Sequence, residues 1–418
     1  MAAPLDNSQA VAVELERVHK ALKPLFERSG VTWKLLQQKG DVEIISNRAM
    51  RIPLEIGPPG NFRQINLDGG DLGRGGGTQY QFATVSPLGF AAALETTKLA
   101  EIGTNSNQKA IADVVRRDMK NGVKELVWGL DALLQTGTGQ LSTMSSGAGT
   151  TTWTLGGNFK TLLLHRGLRV QCYDSTFTTQ RTGVSTILTV NFPAGQVTVD
   201  VAPAGQTNTD IIVIEGLSGA SPTSLNGLPT FQTDATTGTT LGLSRASFPE
   251  LWAQTFNANN TLLTPPYVRL ALNKLRIKRD DDESMKALVA HCNVHQTDAY
   301  EQNAMLAAVI YKDPSAKQGF DLFFKAENMA GVPIKTNIKA DPTRIDFLEL
   351  DRWGRAVLAD IDFYKDPGDA GTVFGVYGSS GGRAASALWY LYTAQQVFSA
   401  DPGFGSFISN LSKPSGYP

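Results

Sequence analysis

The chain has 418 residues, of which 41% are hydrophobic and 18% charged, with 41 glycines and 20 prolines; this composition is typical of a folded protein and excludes disordered and collagen-like classes. The 38 basic and 39 acidic side chains give a net charge of −1, which argues against a main affinity for nucleic-acid phosphates or an anionic membrane. The two cysteines, Cys172 and Cys292, lie far apart, which excludes a disulfide framework and indicates a reducing compartment.

The sequence shows neither a membrane-spanning segment nor a secretory signal peptide. No apolar run approaches the roughly 20 residues needed to span a bilayer. The first residues carry acidic side chains and lack an apolar signal core, so we expect them to belong to the mature structure. We therefore expect a protein that is made and used in solution.

Residues 8–27 show helical periodicity. The apolar residues Leu15, Val18, Leu22 and Phe26 recur every three or four positions after a capping Asp-Asn-Ser sequence. The pattern predicts an amphipathic helix, which packs either on a partner or on its own domain.

The stretch from 51 to 98 predicts a long hairpin. Residues 51–56 and 78–84 each alternate in the manner of a strand, with Tyr80 and Phe82 on one face. The glycine- and proline-rich segment between them predicts a flexible tip. Because an isolated two-stranded hairpin is marginal in water and its open edges invite pairing, the pattern favours a hairpin laid on a partner surface over one folded onto its own domain.

A helical apolar stripe follows from residue 106 to residue 135 and ends before Gly137. Its length of about 45 Å suits a strut. A coiled coil is disfavoured, because Gly122 and Gly129 interrupt the stripe and the flanking charge pattern is absent.

The composition then becomes rich in Val, Thr, Gly and Pro. Residues 142–154 are small and polar, and four short strands are predicted after them, at 170–173, 185–190, 196–201 and 210–215. This pattern indicates an inserted small β-barrel or β-sandwich.

Beyond residue 241, helical and strand patterns alternate, which predicts an α+β domain. The predicted helices are 266–279, 297–311 and 384–398, and the predicted strands are 285–290, 320–324, 344–350 and 372–377.

No catalytic constellation emerges, so we expect no enzyme and no cofactor. The sequence around Ser380 matches a nucleophile elbow, but its histidine would have to follow the serine, and the last histidine is His295. A structural zinc site requires four ligands, and the His291 and His295 pair has no second ligand pair near it in the sequence. The acidic run 280–283 is read as a solvated turn, and Asp360 and Asp362 as a surface strand.

Six sequence phrases, in this order, resemble the major capsid proteins of tailed double-stranded DNA bacteriophages. They are RIPLEIGPPG, QYQFATVSPLGFAAALETTK, LLTPPYVRLALNKLRIK, AGVPIKTN, TRIDFLELDRWGRAVLADIDFYKD and GVYGSSGGRAA. The resemblance covers most of the chain and implies the α+β fold named after phage Hong Kong 97, with an N-arm, an extended loop, a spine helix, a peripheral domain and an axial domain.

The resemblance also implies domain boundaries. It places the N-terminal arm at 1–46, the extended loop at 47–98, the spine helix with part of the peripheral domain at 99–157, the inserted β-rich domain at 158–217, the axial domain at 218–335, the peripheral return strands at 336–375, and the axial C-terminal helix and tail at 376–418.

The implied function is self-assembly into pentamers and hexamers that close an icosahedral shell around packaged double-stranded DNA. Implied partners are other copies of the chain, portal, scaffolding and decoration proteins, with no membrane; the implied location is the virion capsid, assembled in the bacterial cytoplasm. An encapsulin-like compartment and another virion structural protein remain the alternatives.

Two sets of site residues follow from the resemblance. The first set lies on the polar side of the spine helix, which is expected to face either the genome or solvent. Its residues are Arg116, Arg117, Lys120 and Lys124. Intersubunit contacts of the extended loop are expected from Arg51, Ile52, Leu54, Ile56, Phe62, Arg63, Arg74, Tyr80 and Phe82.

Some members of the family crosslink covalently through an extended-loop lysine, but residues 51–97 contain no lysine. We therefore expect mature particles to run as a single band on denaturing gels; a covalent ladder would contradict this. Some members also carry a long charged scaffolding segment before the arm. Since only about 46 residues precede the hairpin here, we expect a separate or dispensable scaffold.

Overall fold

The computed structural model describes residues 30–37, 41–43, 49–57, 64, 68, 76–97, 108–218, 224–279, 288–309, 328–365, 374–377 and 383–414. The helices are α1 (Val31–Gln37), α2 (Gln108–Thr136), α3 (Leu228–Phe231), α4 (Pro265–Arg279) and α5 (Val294–Val309). The strands up to the barrel's end are β1 (Asp41–Glu43), β2 (Met50–Gly57), β3 (Gln79–Val85), β4 (Leu88–Thr97), β5 (Gln140–Ser146), β6 (Thr152–Gly156), β7 (Arg169–Tyr173), β8 (Ser185–Asn191), β9 (Gln196–Val199) and β10 (Ile211–Ile214). The remaining strands are β11 (Thr239–Thr240), β12 (Leu243–Ser244), β13 (Gln254–Thr261), β14 (Leu288–Cys292), β15 (Asn328–Met329), β16 (Val332–Thr336), β17 (Ile345–Glu349), β18 (Trp353–Phe363), β19 (Phe374–Tyr377), β20 (Arg383–Ser399) and β21 (Ser406–Leu411).

Helix α2 is the strut predicted from the apolar stripe, with 29 residues. Its C-terminal half is buried in the main core, through Leu130, Leu133 and Leu134. The helix ends at Gly137, which has a φ of 69° and donates its N–H to the Leu133 carbonyl at 2.8 Å. This left-handed conformation strongly favours glycine at a helix C-terminus.

The predicted β-rich insertion is a closed six-stranded barrel with the order β10-β5-β6-β9-β8-β7. The four strands predicted from the sequence are confirmed as β7 to β10. Two further strands, β5 and β6, complete the barrel, and no strand was predicted for residues 142–154. Their buried apolar residues, among them Met144 and Trp153, are few among small polar side chains, so the segment shows little hydrophobic pattern.

The second core lies on a six-stranded mixed sheet with the order β13-β21-β17-β14-β16-β15. Helix α4 packs on this sheet and buries Val268, Leu272 and Leu275 against strand residues such as Phe347. The predictions for α4, α5, β14 and β17 are confirmed within the described residues. We call this sheet the axial sheet.

A third sheet has the order β1-β18-β20-β19, and β4 also pairs with β20; we call it the peripheral sheet. The helix predicted over 384–398 is wrong, because those residues belong to the 17-residue strand β20. Its residues pack on both faces of the sheet, so apolar side chains occur at every phase, and such a run cannot be told from a buried helix by periodicity alone. The predicted C-terminal helix of 376–418 is absent from the described part of that range.

Several predictions lie outside the described residues. These are the helix over 8–27, the strand over 320–324, most of the hairpin tip, the acidic run 280–283 and the turn containing Ser380. The flanking elements of that turn are two strands, β19 and β20, whereas the nucleophile elbow requires a strand followed by a helix.

Candidate assembly surfaces

The hairpin predicted from alternation is confirmed as a two-stranded sheet of β2 and β3. The strands are antiparallel, and their register runs from Met50 opposite Val85 to Gly57 opposite Gln79. Because paired residues of an antiparallel ladder share a face, this register assigns every hairpin side chain to one of two faces.

One face of the hairpin packs on the same chain. Leu54 and Ala83 are buried against Leu243 and Leu251, and the Thr84 N–H donates to the Leu241 carbonyl at 2.9 Å. The base of the hairpin is therefore anchored to its own subunit, with its direction set by the β11–β12 turn.

The opposite face of the hairpin is exposed along its whole described length. We call it the outer hairpin face; its members are Arg51, Pro53, Glu55, Tyr80, Phe82 and Thr84, all of them exposed. Tyr80 and Phe82 each remain 60% exposed. Two large neighbouring aromatic side chains in water are typical of an interaction surface.

The peripheral sheet also has an inner and an outer face. On the inner face, the side chains of Leu94 and Leu391 approach α2 so closely that a Cβ at Gly122 would come within 3.0–3.1 Å of them. A Cβ at position 122 would require the ends of these leucine side chains to shift by a few tenths of an ångström, so the close packing of sheet and helix favours glycine in the middle of this long helix.

The outer face of the peripheral sheet carries an aromatic cluster. The Tyr364 ring lies 5.6 Å from the Tyr392 ring and 5.9 Å from the Phe374 ring, and Phe374 lies 5.5 Å from Tyr390. The Tyr364–Tyr392 and Phe374–Tyr390 pairs are edge-on, a geometry that is favourable between aromatic rings at such distances. None of the four side chains is fully buried.

Acidic and small residues flank this cluster. Asp362 is the cross-strand neighbour of Tyr392, and both Asp360 and Asp362 are exposed. Ala91 is opposite Tyr392 on β4 and is also exposed. We call this surface the acidic aromatic face; its members are Ala91, Ala93, Asp360, Asp362, Tyr364, Phe374, Tyr390 and Tyr392.

The structure separates the predicted contact residues. Arg51, Tyr80 and Phe82 lie on the outer hairpin face, whereas Ile52 and Leu54 point to the inner face and pack on their own chain, so we remove these two from the set. Ile56 is half-buried near the distal end. Phe62, Arg63 and Arg74 lie outside the described residues.

The polar side of α2 is described only in part. Lys120 and Lys124 are exposed, and the side chains of Arg116 and Arg117 lie outside the described set. The sequence does not predict the acidic aromatic face, because residues 388–392, which carry part of it, form a continuous apolar run that is equally typical of a buried helix.

The histidine motif has a structural role. His291 is buried at 2% exposure, and its Nε2 lies 2.8 Å from the Thr32 hydroxyl. Burial raises the pKa of the Cys292 thiol to about 11, so this thiol is neither a nucleophile nor a ready metal ligand at neutral pH. Among the described residues there is no cluster of three or more histidine, cysteine or carboxylate side chains placed to hold a metal ion.

No protein-family model and no curated protein matches this sequence. In contrast, the chain aligns with the capsid protein in the asymmetric unit of cyanophage A-1(L), with a TM-score of 0.57 and 13% identity, over 96% of this chain and 99% of the other. The chain has the Hong Kong 97-like capsid fold.

Two further structures align over nearly the whole chain. The capsid of a native GTA particle gives a TM-score of 0.43 at 10% identity, covering 97% of this chain and 99% of that one. The holo-SrpI encapsulin complex of Synechococcus elongatus PCC 7942 gives 0.43 at 8% identity, covering 97% of each. Within the described part of this Hong Kong 97-like chain, no helix has both the length and the apolar character of a membrane span.

Proposed function

We propose that this chain is the major capsid protein of a tailed bacteriophage and assembles into the pentamers and hexamers of an icosahedral shell around double-stranded DNA. The observation that supports this most strongly is the end-to-end structural match to a phage capsid protein, which covers 96% of this chain and 99% of that one. Extra or missing domains would reduce that coverage. The near-neutral net charge of −1 also suits a shell in which many copies meet, since strongly like-charged subunits repel each other.

The described elements can be assigned to the parts of this fold. We propose that β2 and β3 are the extended loop, α2 the spine helix, the peripheral sheet the peripheral domain, and the axial sheet with α4 and α5 the axial domain. The barrel from β5 to β10 is then an insertion between the spine helix and the axial domain. This assignment moves residues 88–97 from the extended loop to the peripheral domain, and residues 383–399 from the axial to the peripheral domain.

We propose that the outer hairpin face of one copy binds the acidic aromatic face of a neighbouring copy. Both surfaces carry aromatic side chains that the monomer leaves exposed or half-buried, and aromatic pairs gain more than their buried area alone. Arg51 on the hairpin complements Asp360 and Asp362 on the sheet in charge. At roughly 25 cal/mol per Å², covering the exposed part of Tyr80 or Phe82 contributes about 2–4 kcal/mol each before entropic costs.

Further assembly partners are proposed from the resemblance. Portal, scaffolding and decoration proteins would meet the assembled shell, and the barrel offers a surface for a decoration protein. Lys120 and Lys124, exposed on α2, would face the genome if this side of the helix lines the interior. The implied location is the virion, after assembly in the host cytoplasm.

The content of the particle tests the proposed function against a protein-storing compartment. Particles from producing cells are treated with nuclease, and their nucleic acid and protein are then extracted. We expect double-stranded DNA protected from the nuclease. Particles that contain a cargo protein and no protected DNA would overturn the phage assignment and leave the fold unaffected.

A further inference from the structure

A buried polar cluster joins three separate parts of the fold around α1. It connects α1 to the C-terminal half of α2, to β14 of the axial sheet and to the loop after β16. All of its side chains are buried; they are Thr32, Asp131, Gln135, His291, Asn337 and Lys339. This cluster, which we call the α1 cluster, is independent of the proposed function.

Asp131 is the charged centre of the α1 cluster. Its Oδ1 accepts the Trp33 N–H at 2.9 Å, and its Oδ2 accepts Nδ2 of Asn337 at 3.1 Å and Nζ of Lys339 at 3.0 Å. The carboxylate is fully buried, and three donors satisfy its charge. It therefore has little capacity left to balance a second cation.

The Thr32 hydroxyl determines the proton position on His291. Its oxygen accepts Nδ2 of Asn337 at 2.8 Å and Nε2 of Gln135 at 3.2 Å. The Asn337 orientation is set because its Oδ1 accepts the Lys339 N–H at 3.0 Å. Both lone pairs of Thr32 are thus used, and its one proton is left to donate to His291 Nε2 at 2.8 Å.

His291 must then be neutral, with its proton on Nδ1. That nitrogen is buried and has no hydrogen-bond partner within the described part of the chain. An imidazolium would carry a proton on Nε2 as well, and two donors would then face each other across the 2.8 Å contact. Protonation consequently breaks the bond to Thr32 or displaces the amides that hold it.

The carboxylates near His291 are already paired with other cations, so they stabilise a positive charge on its ring only weakly. Asp346 and Lys335 are its neighbours on the flanking strands; Asp346 is paired with Arg344 at 2.6 Å, and Lys335 is exposed. From α2, Asp131 is paired with Lys339. Burial lowers the pKa of His291 despite the opposing effect of these two carboxylates.

We propose that the Thr32–His291 hydrogen bond is an acid-released latch, which holds α1 on α2 and the axial sheet at neutral pH and frees α1 when His291 is protonated. Because the closed state binds the proton less readily than the open state, closure is fully favoured above the ordinary histidine value of about 6.5 and weakens as the pH falls below it.

Hydrogen exchange of the amides of residues 31–37 in the full chain tests the latch. After correction for the intrinsic pH dependence of exchange, we expect α1 to open about tenfold more often at pH 5.5 than at neutral pH. His291→Gln, which can still accept the Thr32 proton but does not titrate, should abolish this change. His165→Gln, a histidine outside the α1 cluster, should leave it intact. Unchanged α1 protection in the wild type at pH 5.5, or a persistent pH response in His291→Gln, would overturn the proposal.

Nitrogen-15 NMR of the histidine rings tests the same latch in the wild-type chain, so the result does not depend on whether a variant folds. Only four histidines are present, so each ring can be assigned. We expect His291 to show a protonated Nδ1 and an unprotonated Nε2 at neutral pH. A protonated Nε2 at that pH would contradict the hydrogen-bond direction on which the latch depends.

Discussion

A chain carrying Tyr80→Ser and Phe82→Ser should fold with wild-type stability but fail to form shells. Both side chains are 60% exposed and lie on the face of the hairpin that does not pack on its own chain, so the isolated subunit loses little. Each shell contact loses the burial of two aromatic rings, about 4–8 kcal/mol before entropic costs. Size-exclusion chromatography with light scattering measures assembly, and thermal melting of the soluble subunit measures folding.

Val201→Ser is the matched control for this experiment. Val201 is 61% exposed but lies on the barrel, away from both proposed surfaces, so its replacement should leave assembly unchanged. Assembly of the double-serine chain at the wild-type yield would show that the outer hairpin face is not a contact. Loss of assembly together with a large drop in melting temperature would instead place the defect in folding.

A charge reversal identifies the surface that receives the hairpin. Arg51→Glu should weaken assembly, and adding Asp360→Lys and Asp362→Lys to the same chain should restore it, because the two faces then attract again. All three side chains are exposed, so folding is not expected to change. If the triple variant assembles no better than Arg51→Glu alone, the acidic aromatic face is not the receptor.

Replacement of Asp131 by alanine should destabilise the subunit by about 3–5 kcal/mol, because it removes the carboxylate that pairs with the buried Lys339 ammonium. The Trp128 carbonyl, 3.2 Å from Nζ of Lys339, is a neutral acceptor and does not replace that charge. The substitution also removes the acceptor of the Trp33 N–H, which holds the start of α1. Urea denaturation followed by tryptophan fluorescence measures this, on the Tyr80→Ser/Phe82→Ser background so that assembly does not add to the apparent stability.

Asp362→Asn serves as the control for this loss, since it removes a carboxylate that is exposed. Its free energy of unfolding should stay within about 0.5 kcal/mol of the parent. A cost below about 1 kcal/mol for Asp131→Ala would mean that Lys339 finds water or another acceptor, and the α1 cluster would then not hold α1.

Local patterns predicted the parts of this fold that have a regular environment. The strut helix has one buried stripe, and the hairpin has one packed and one exposed face, so their periodicities of 3.6 and 2 are visible in the chain. Strand β20 lacks such a contrast, because Leu391 packs toward α2 while Tyr390 and Tyr392 form the outer aromatic cluster. Its apolar run therefore resembled a helix.

Of the two candidate surfaces, only the β3 side of the outer hairpin face was visible in the sequence. Alternation placed Tyr80 and Phe82 on one face, but which side of β2 shares that face depends on the register, which only the paired strands reveal. The α1 cluster was beyond prediction, because its contacts join residues far apart in the chain, such as Thr32 and Asn337, separated by 305 positions. Nothing in the sequence around any one of these residues distinguishes it from an exposed polar residue.

The central claim is that this chain builds a closed shell, and electron microscopy of the full chain tests it most directly. The chain is expressed alone and then together with its neighbouring gene products, and the purified material is imaged in negative stain. We predict closed shells of uniform diameter or ring-shaped capsomers of five and six copies. A single species with the mass of one chain under every condition would contradict the account, because the outer hairpin face would then be left without a partner.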